Sequence, residues 1–167
     1  ALPIAQTLSG EPRDTVEQPC KAGQYWSWDE VTFSVISPDL IPVEDHNNQS
    51  CVLKISAGSH AILLTGDIEA PVERRLRDNP AIKADVLVVP HHGSKTSSTA
   101  AFLAQVQPQH AIVSAGLMNR YHHPHPVIVK RYEAQGIKLW NTAQTGAMHV
   151  KISRSGAKVS GYKESHT

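Results

Sequence analysis

Two stretches of this sequence concentrate groups that bind metals and move protons. Residues 84–98 read ADVLVVPHHGSKTSS, an apolar run that ends in His91, His92, Gly93 and Ser94. Residues 120–126 read RYHHPHP, with His122, His123 and His125. Together they hold five of the ten histidines. A third stretch, AILLTGD, brings Asp67 to the end of another apolar run. A carboxylate with neutral imidazoles is a first coordination shell for zinc, manganese or iron. Each group also has a plainer use: Asp67 as the cap of a following helix, and HPHP as a rigid loop.

Elements that end near one another must bring these residues together. Gln24 to Ser37 alternates like a half-buried strand, with Trp26 and Trp28 on one face as core or edge packing. SCVLKIS and HAILLTGD read as two strands joined at Gly58. EAPVERRLRDNP reads as a short helix whose acids lie early and arginines late, as the helix dipole favours. ADVLVVP is a strand buried on both faces. STAAFLAQVQ and PVIVKRYEAQG are helices, the second with Pro126 in its first turn and Gly136 past its end. HAIVSAG, IKLWN, GAMHVKIS and AKVSGY complete the strands. Hairpins followed by strand–helix alternation predict an α/β fold, and its ligands gather beyond the carboxyl ends of the strands. Residues 1–20 form an irregular lead-in, 21–162 the domain and 163–167 a tail.

Adjacent strand residues point to opposite faces, so His91 and His92 serve one site together only if the strand has ended there. Gly93 frees the backbone beside His92 and makes it the better ligand. His123 and His125 each precede proline and are extended. His125, at the start of a helix, presents an imidazole to substrate or acts as acid or base. His46 is a ligand or a loop residue, and Asn47, Asn48 and Ser50 suit Asx-type turns. His60, His110, His149 and His166 have no polar constellation in the sequence and read as structural or surface residues.

A chain of 167 residues is about one domain. Its net charge of +1 hides an asymmetry: residues 1–80 hold 6 Lys/Arg against 12 Asp/Glu, and residues 81–167 hold 10 against 3. The basic half, with the histidines, favours anionic ligands. No apolar run approaches a membrane span, and no secretory signal is visible. Cys20 and Cys51 are too few for a structural zinc site and are either two thiols or one disulfide. Asp67 and His92 alone are half of a hydrolytic metal site, since such a site takes three or more protein ligands per ion.

TGD, PHHGS and HPHP in this order, with LLTGDIEAPVERRL, AIVSAGLMNRYHHPHPVIVKRY and TAQTGAMHV, resemble the later half of a metallo-β-lactamase-fold hydrolase. The resemblance is closest to the C-terminal domain of the ComEC family of competence DNA-uptake proteins and covers most of residues 20–150. It implies an αββα sandwich, truncated at its N-terminal half, with a divalent metal (Zn or Mn) at the sheet edge. It implies metal ligation by Asp67 and His92 and catalytic roles for His91 and His125. It places Ser94, Lys95 and His123 against substrate, and Asn47 near a position where many relatives carry another metal-binding histidine.

The family's H-x-H-x-D-H motif has no match in residues 1–66. The resemblance therefore implies a piece of a longer inner-membrane protein, with this domain on its periplasmic side beside the membrane channel. Its function is that of a nuclease on DNA, single-stranded during uptake, and the piece alone binds metal weakly and cleaves little. An oxidising periplasm implies a Cys20–Cys51 bridge. The competing readings are a nucleic-acid-binding module without catalysis, marked by salt-dependent, metal-independent affinity, and a metallo-hydrolase of a small phosphodiester or ester.

Overall fold

Seven short strands build one sheet in the computed structural model, which describes residues 7–9, 17–39 and 46–162. In chain order its strands are β3 (Tyr25–Trp28), β4 (Val31–Ser37), β5 (Val52–Ala57), β6 (His60–Leu64), β7 (Val86–Val88), β8 (His110–Val113) and β9 (Lys138–Asn141), and they lie side by side in that order. β3 to β6 pair antiparallel, and β6 to β9 pair parallel. Three helices supply the parallel crossovers: α1 (Ala70–Leu76), α2 (Ala100–Val106) and α3 (Pro126–Ala134). Right-handed crossovers that all advance the same way along a sheet leave their helices on one face.

That face holds the main core. Ala61 and Leu63 of β6, Leu87 of β7, and Ala111 and Val113 of β8 pack with Val72, Phe102, Leu103, Ile128 and Tyr132 from the helices. The alternate strand residues point the other way. Ile62, Val86, Ile112 and Trp140 meet a two-stranded antiparallel hairpin, β10 (Met148–Ser153) and β11 (Gly156–Gly161), through Met148, Val150, Ile152 and Val159. VLVV is therefore apolar throughout because both of its faces are covered. The α/β expectation holds in a helix–sheet–hairpin arrangement.

Three features differ from the sequence reading. Residues 24–37 are a hairpin rather than one strand: Asp29 and Glu30 both have positive φ, 47° and 65°, and reverse the chain. Trp26 stacks on Phe33 of the neighbouring strand at 5.1 Å, which is edge packing. Within the lead-in, β1 (Thr7–Ser9) and β2 (Glu17–Pro19) form a short parallel pair. Residues 163–167 lie outside the described residues.

Polar pins set the ends of the elements. Glu73 of α1 is fully buried. Its carboxylate accepts hydrogen bonds from the Ser98 amide and, at 2.7 Å, from the Thr99 amide at the start of α2. The early acid of this helix thus caps a different helix. Burial pushes the Glu73 carboxyl above its ordinary range, against the opposing pull of those amides. Arg131 of α3 donates to the Ser97 and Ser98 carbonyls, and Tyr132 pairs its hydroxyl with Ser98 at 3.0 Å.

At the opposite end of the parallel strands, Asp85 takes the Ala61 amide at 2.8 Å and His60 Nδ1 at 3.0 Å, so His60 has a carboxylate partner after all. Partial burial raises the Asp85 carboxyl, but the Ala61 amide and His60 outweigh it and hold the group below its usual 3.8. A lowered folded value means stability that is present above the unfolded pKa and lost as pH falls through the folded one. In urea titrations between pH 5 and pH 2, the wild type should therefore lose more stability than Asp85→Asn. Equal losses would show that Asp85 makes no such contribution.

Cys20 and Cys51 form a disulfide, with Cα atoms 5.7 Å apart, joining the lead-in to the start of β5. No helix among the described residues is long and apolar enough to cross a membrane.

Candidate metal centre

Because β6, β7 and β8 are parallel, their carboxyl ends meet at one edge. TGD follows β6, PHHG follows β7, and the loop to α3 follows β8. The loops are laced together by backbone bonds: His91 N to Gly66 O at 3.1 Å and His125 N to Gly93 O at 2.9 Å. The 46–50 segment supports them from beneath. Asn48 accepts from the Glu69 amide at 2.9 Å and Ser50 from the Asp67 amide at 3.0 Å. Both bonds reach backbone about twenty positions away in sequence. Gly66, with φ of 56°, lies where an added Cβ would meet Ser50 Cβ at 2.7 Å, so no larger residue fits that approach.

His91 and His92 lie beyond the end of β7, and both adopt left-handed backbone, with φ of 47° and 54°. Such conformations cost about 1–3 kcal/mol each in non-glycine residues and persist where surrounding structure over-determines them, often at functional sites. The turn aims the rings at two different carboxylates of TGDIE. His91 Nδ1 lies 3.0 Å from Glu69 Oε1, which also accepts from the Thr96 hydroxyl at 2.8 Å. His92 Nε2 lies 3.5 Å from Asp67 Oδ1.

The tautomer of His92 follows from its other nitrogen. Nδ1 is 2.7 Å from the Ser114 carbonyl, which can only accept, so Nδ1 carries the hydrogen. In the neutral ring Nε2 then presents a lone pair to the Asp67 carboxylate. In that form two acceptors face each other and a cation between them resolves the arrangement, whereas in the protonated ring Nε2–H donates to Asp67 as an ion pair. Ligands about 2.0–2.2 Å from a tetrahedral ion lie roughly 3.3–3.6 Å apart, which brackets the observed separation. The Nδ1 bond to a backbone carbonyl is also the outer-shell support usual for a metal-bound histidine. Asp67 and His92 thus fit two positions of a divalent metal's shell. Among the described residues no group of three or more His, Cys, Asp or Glu is placed to hold an ion.

The remaining expected residues fall in different places. His123 lies beside the pair, its ring 6.0 Å from that of His91. Partial burial and the neighbouring His91, His92 and His125 lower its pKa, outweighing Asp67. His125 is the N-cap of α3, with Nδ1 accepting from the Val127 amide at 3.3 Å. Ser94 is buried, and its hydroxyl bonds Thr96 within its own turn. Lys95 is exposed in that turn. His46 is exposed and Asn47 half-buried in a 3-10 turn, where each has a partner. Glu69 was not singled out in the sequence. Its only signal is its position two residues past Asp67.

With this geometry, the comparison with known proteins identifies the class. Residues 5–116 match the metallo-beta-lactamase superfamily, and the chain belongs to it. Proteins of this superfamily usually bind divalent metals. Its relatives include members of the ComEC family. It is 40% identical over 159 residues to competence protein ComA of Neisseria gonorrhoeae, covering 94% of this chain and 23% of that protein. It is 39% identical over 132 residues to ComE operon protein 3 of Bacillus subtilis (78% and 17%). It is 38% identical over 133 residues to recombination protein 2 of Haemophilus influenzae (80% and 17%). The chain spans less than a quarter of the length of these relatives.

Proposed function

We propose that this chain is the later part of a metal-dependent nuclease domain that acts on DNA, single-stranded during competence-related uptake. The observation that carries the reading is the Asp67–His92 pair, carboxylate oxygen and imidazole nitrogen 3.5 Å apart, with His92 oriented by the Ser114 carbonyl. A divalent cation held there supplies charge stabilisation for a phosphoryl oxygen and activation of a water. His91 handles a proton: the Glu69 carboxylate accepts its Nδ1–H and leaves Nε2 free for exchange. Lys95 and His123 meet the phosphate backbone, in keeping with the basic charge of residues 81–167. The Cys20–Cys51 bridge supports a periplasmic position, with the channel of a longer inner-membrane parent as neighbour.

In the parent-length protein, single-stranded DNA cleavage should require added metal and fall to background in His92→Ala. The 167-residue chain, with two described ligands, should cleave no faster than its own His92→Ala variant. Equal cleavage by parent-length wild type and His92→Ala would refute the assignment. Cleavage of a small phosphodiester but not of DNA would move the substrate to the small-molecule class.

A further inference from the structure

A cavity of about 230 Å³ opens beside His92, lined also by Ser114, Asn119, Tyr121 and His123. Tyr121 stands at its edge with 63% of its surface exposed. Leu117 and Met118 on the same loop are 74% and 91% exposed. A solvated aromatic with apolar neighbours beside a cluster of imidazoles serves neither core packing nor solubility.

The loop that carries them is firmly held. Asn119 donates to the Gly116 and His123 carbonyls at 3.1 and 2.8 Å and accepts from the His123 amide at 2.8 Å. Thr142 bonds both the amide and the carbonyl of Ala115 at 2.9 Å. Tyr121 is therefore presented, and little ordering remains to be done when a ligand arrives. The rings continue inward, Tyr121 on His123 at 5.7 Å and His123 against His91 at 6.0 Å. Outward, the Arg120 guanidinium lies 4.7 Å over the Tyr121 ring and donates to its hydroxyl.

We propose that Tyr121 and Arg120 form a base-stacking subsite that holds one unpaired nucleobase of a single-stranded nucleic acid, next to the Asp67–His92 pair. The inference rests on the nucleic-acid reading above and specifies how that site holds its substrate. His92 belongs both to the pair and to the cavity wall, so one nucleotide spans the two, its phosphate at the pair and its base stacked on the Arg120 guanidinium that the Tyr121 ring backs. The volume is below the roughly 300–1,000 Å³ of pockets that engulf drug-sized ligands and suits a single ring system. An aromatic face and a guanidinium plane both stack on any base without reading sequence. A base inside a duplex is already stacked on its neighbours, which makes the subsite selective for unpaired strands.

The test is fluorescence anisotropy with the 167-residue chain in millimolar Mn²⁺, where it is expected not to cleave, with an oligodeoxythymidylate and an abasic oligonucleotide of equal length and charge. Wild type should bind the thymidylate roughly tenfold more tightly than the abasic strand. Tyr121→Ala should remove that difference and Tyr121→Phe should keep it, with melting midpoints equal to wild type. If wild type binds both strands equally, or Tyr121→Ala keeps the preference, the stacking subsite is wrong while nucleic-acid binding stands. If wild type binds neither strand, the nucleic-acid reading falls and the subsite with it.

Discussion

Glu73→Ala should destabilise the fold by about 3–5 kcal/mol, the range for removing one partner from a buried charged pair or network. The carboxylate is fully buried and takes the amides of Ser98 and Thr99. Alanine leaves both donors without an acceptor, at about 1–3 kcal/mol each, and opens a cavity between α1 and α2. The loss extends to α3, because Arg131 and Tyr132 bond the same Ser97–Ser98 turn. At roughly 2–4 °C per kcal/mol for a chain of this size, the melting midpoint should fall by about 10 °C. Glu73→Gln keeps one acceptor and should lose about half as much. A shift under about 2 °C in Glu73→Ala would mean that the pin does not set stability.

The second large effect is the disulfide. Cys20 and Cys51 are 31 residues apart in sequence. Closing a loop of that length restricts the unfolded chain by about 3–4 kcal/mol. Dithiothreitol, or Cys20→Ser with Cys51→Ser, should lower the free energy of unfolding in urea by that amount. Cys51 directly follows Ser50, which accepts the Asp67 amide, so the bridge also anchors the segment that supports the Asp67–His92 pair. Reduction should therefore weaken metal binding as well as stability. Reduced and oxidised chains with superposable urea transitions would refute the stability effect.

Much of this was legible in the sequence, for reasons of period and register. VLVVP announced a strand covered on both faces, and the parallel order of β6, β7 and β8 then carried TGD, PHHG and the HPHP loop to one edge. What escaped the sequence depends on backbone conformation and long-range partners. The β3–β4 turn uses Asp29–Glu30 without the glycine or asparagine that usually mark two positive φ angles. Glu73 satisfies the helix-dipole pattern as a surface acid would, and nothing local shows that α2 comes to it. The pairing of His91 with Glu69 and His92 with Asp67 depends on two successive left-handed residues, which residue types do not specify. The helix start that marked His125 in the sequence is also what makes it the cap of α3.

The central claim is that Asp67 and His92 hold a divalent cation. It is tested most directly by titrating the metal-free 167-residue chain with Zn²⁺ or Mn²⁺ in a calorimeter, beside Asp67→Asn and His92→Ala. Asp67 and His92 are both about half exposed, so neither substitution should unfold the chain. Wild type should show one weak site per chain, and neither variant should show measurable binding. Binding of undiminished affinity in both variants, or none in wild type at millimolar metal, would contradict it.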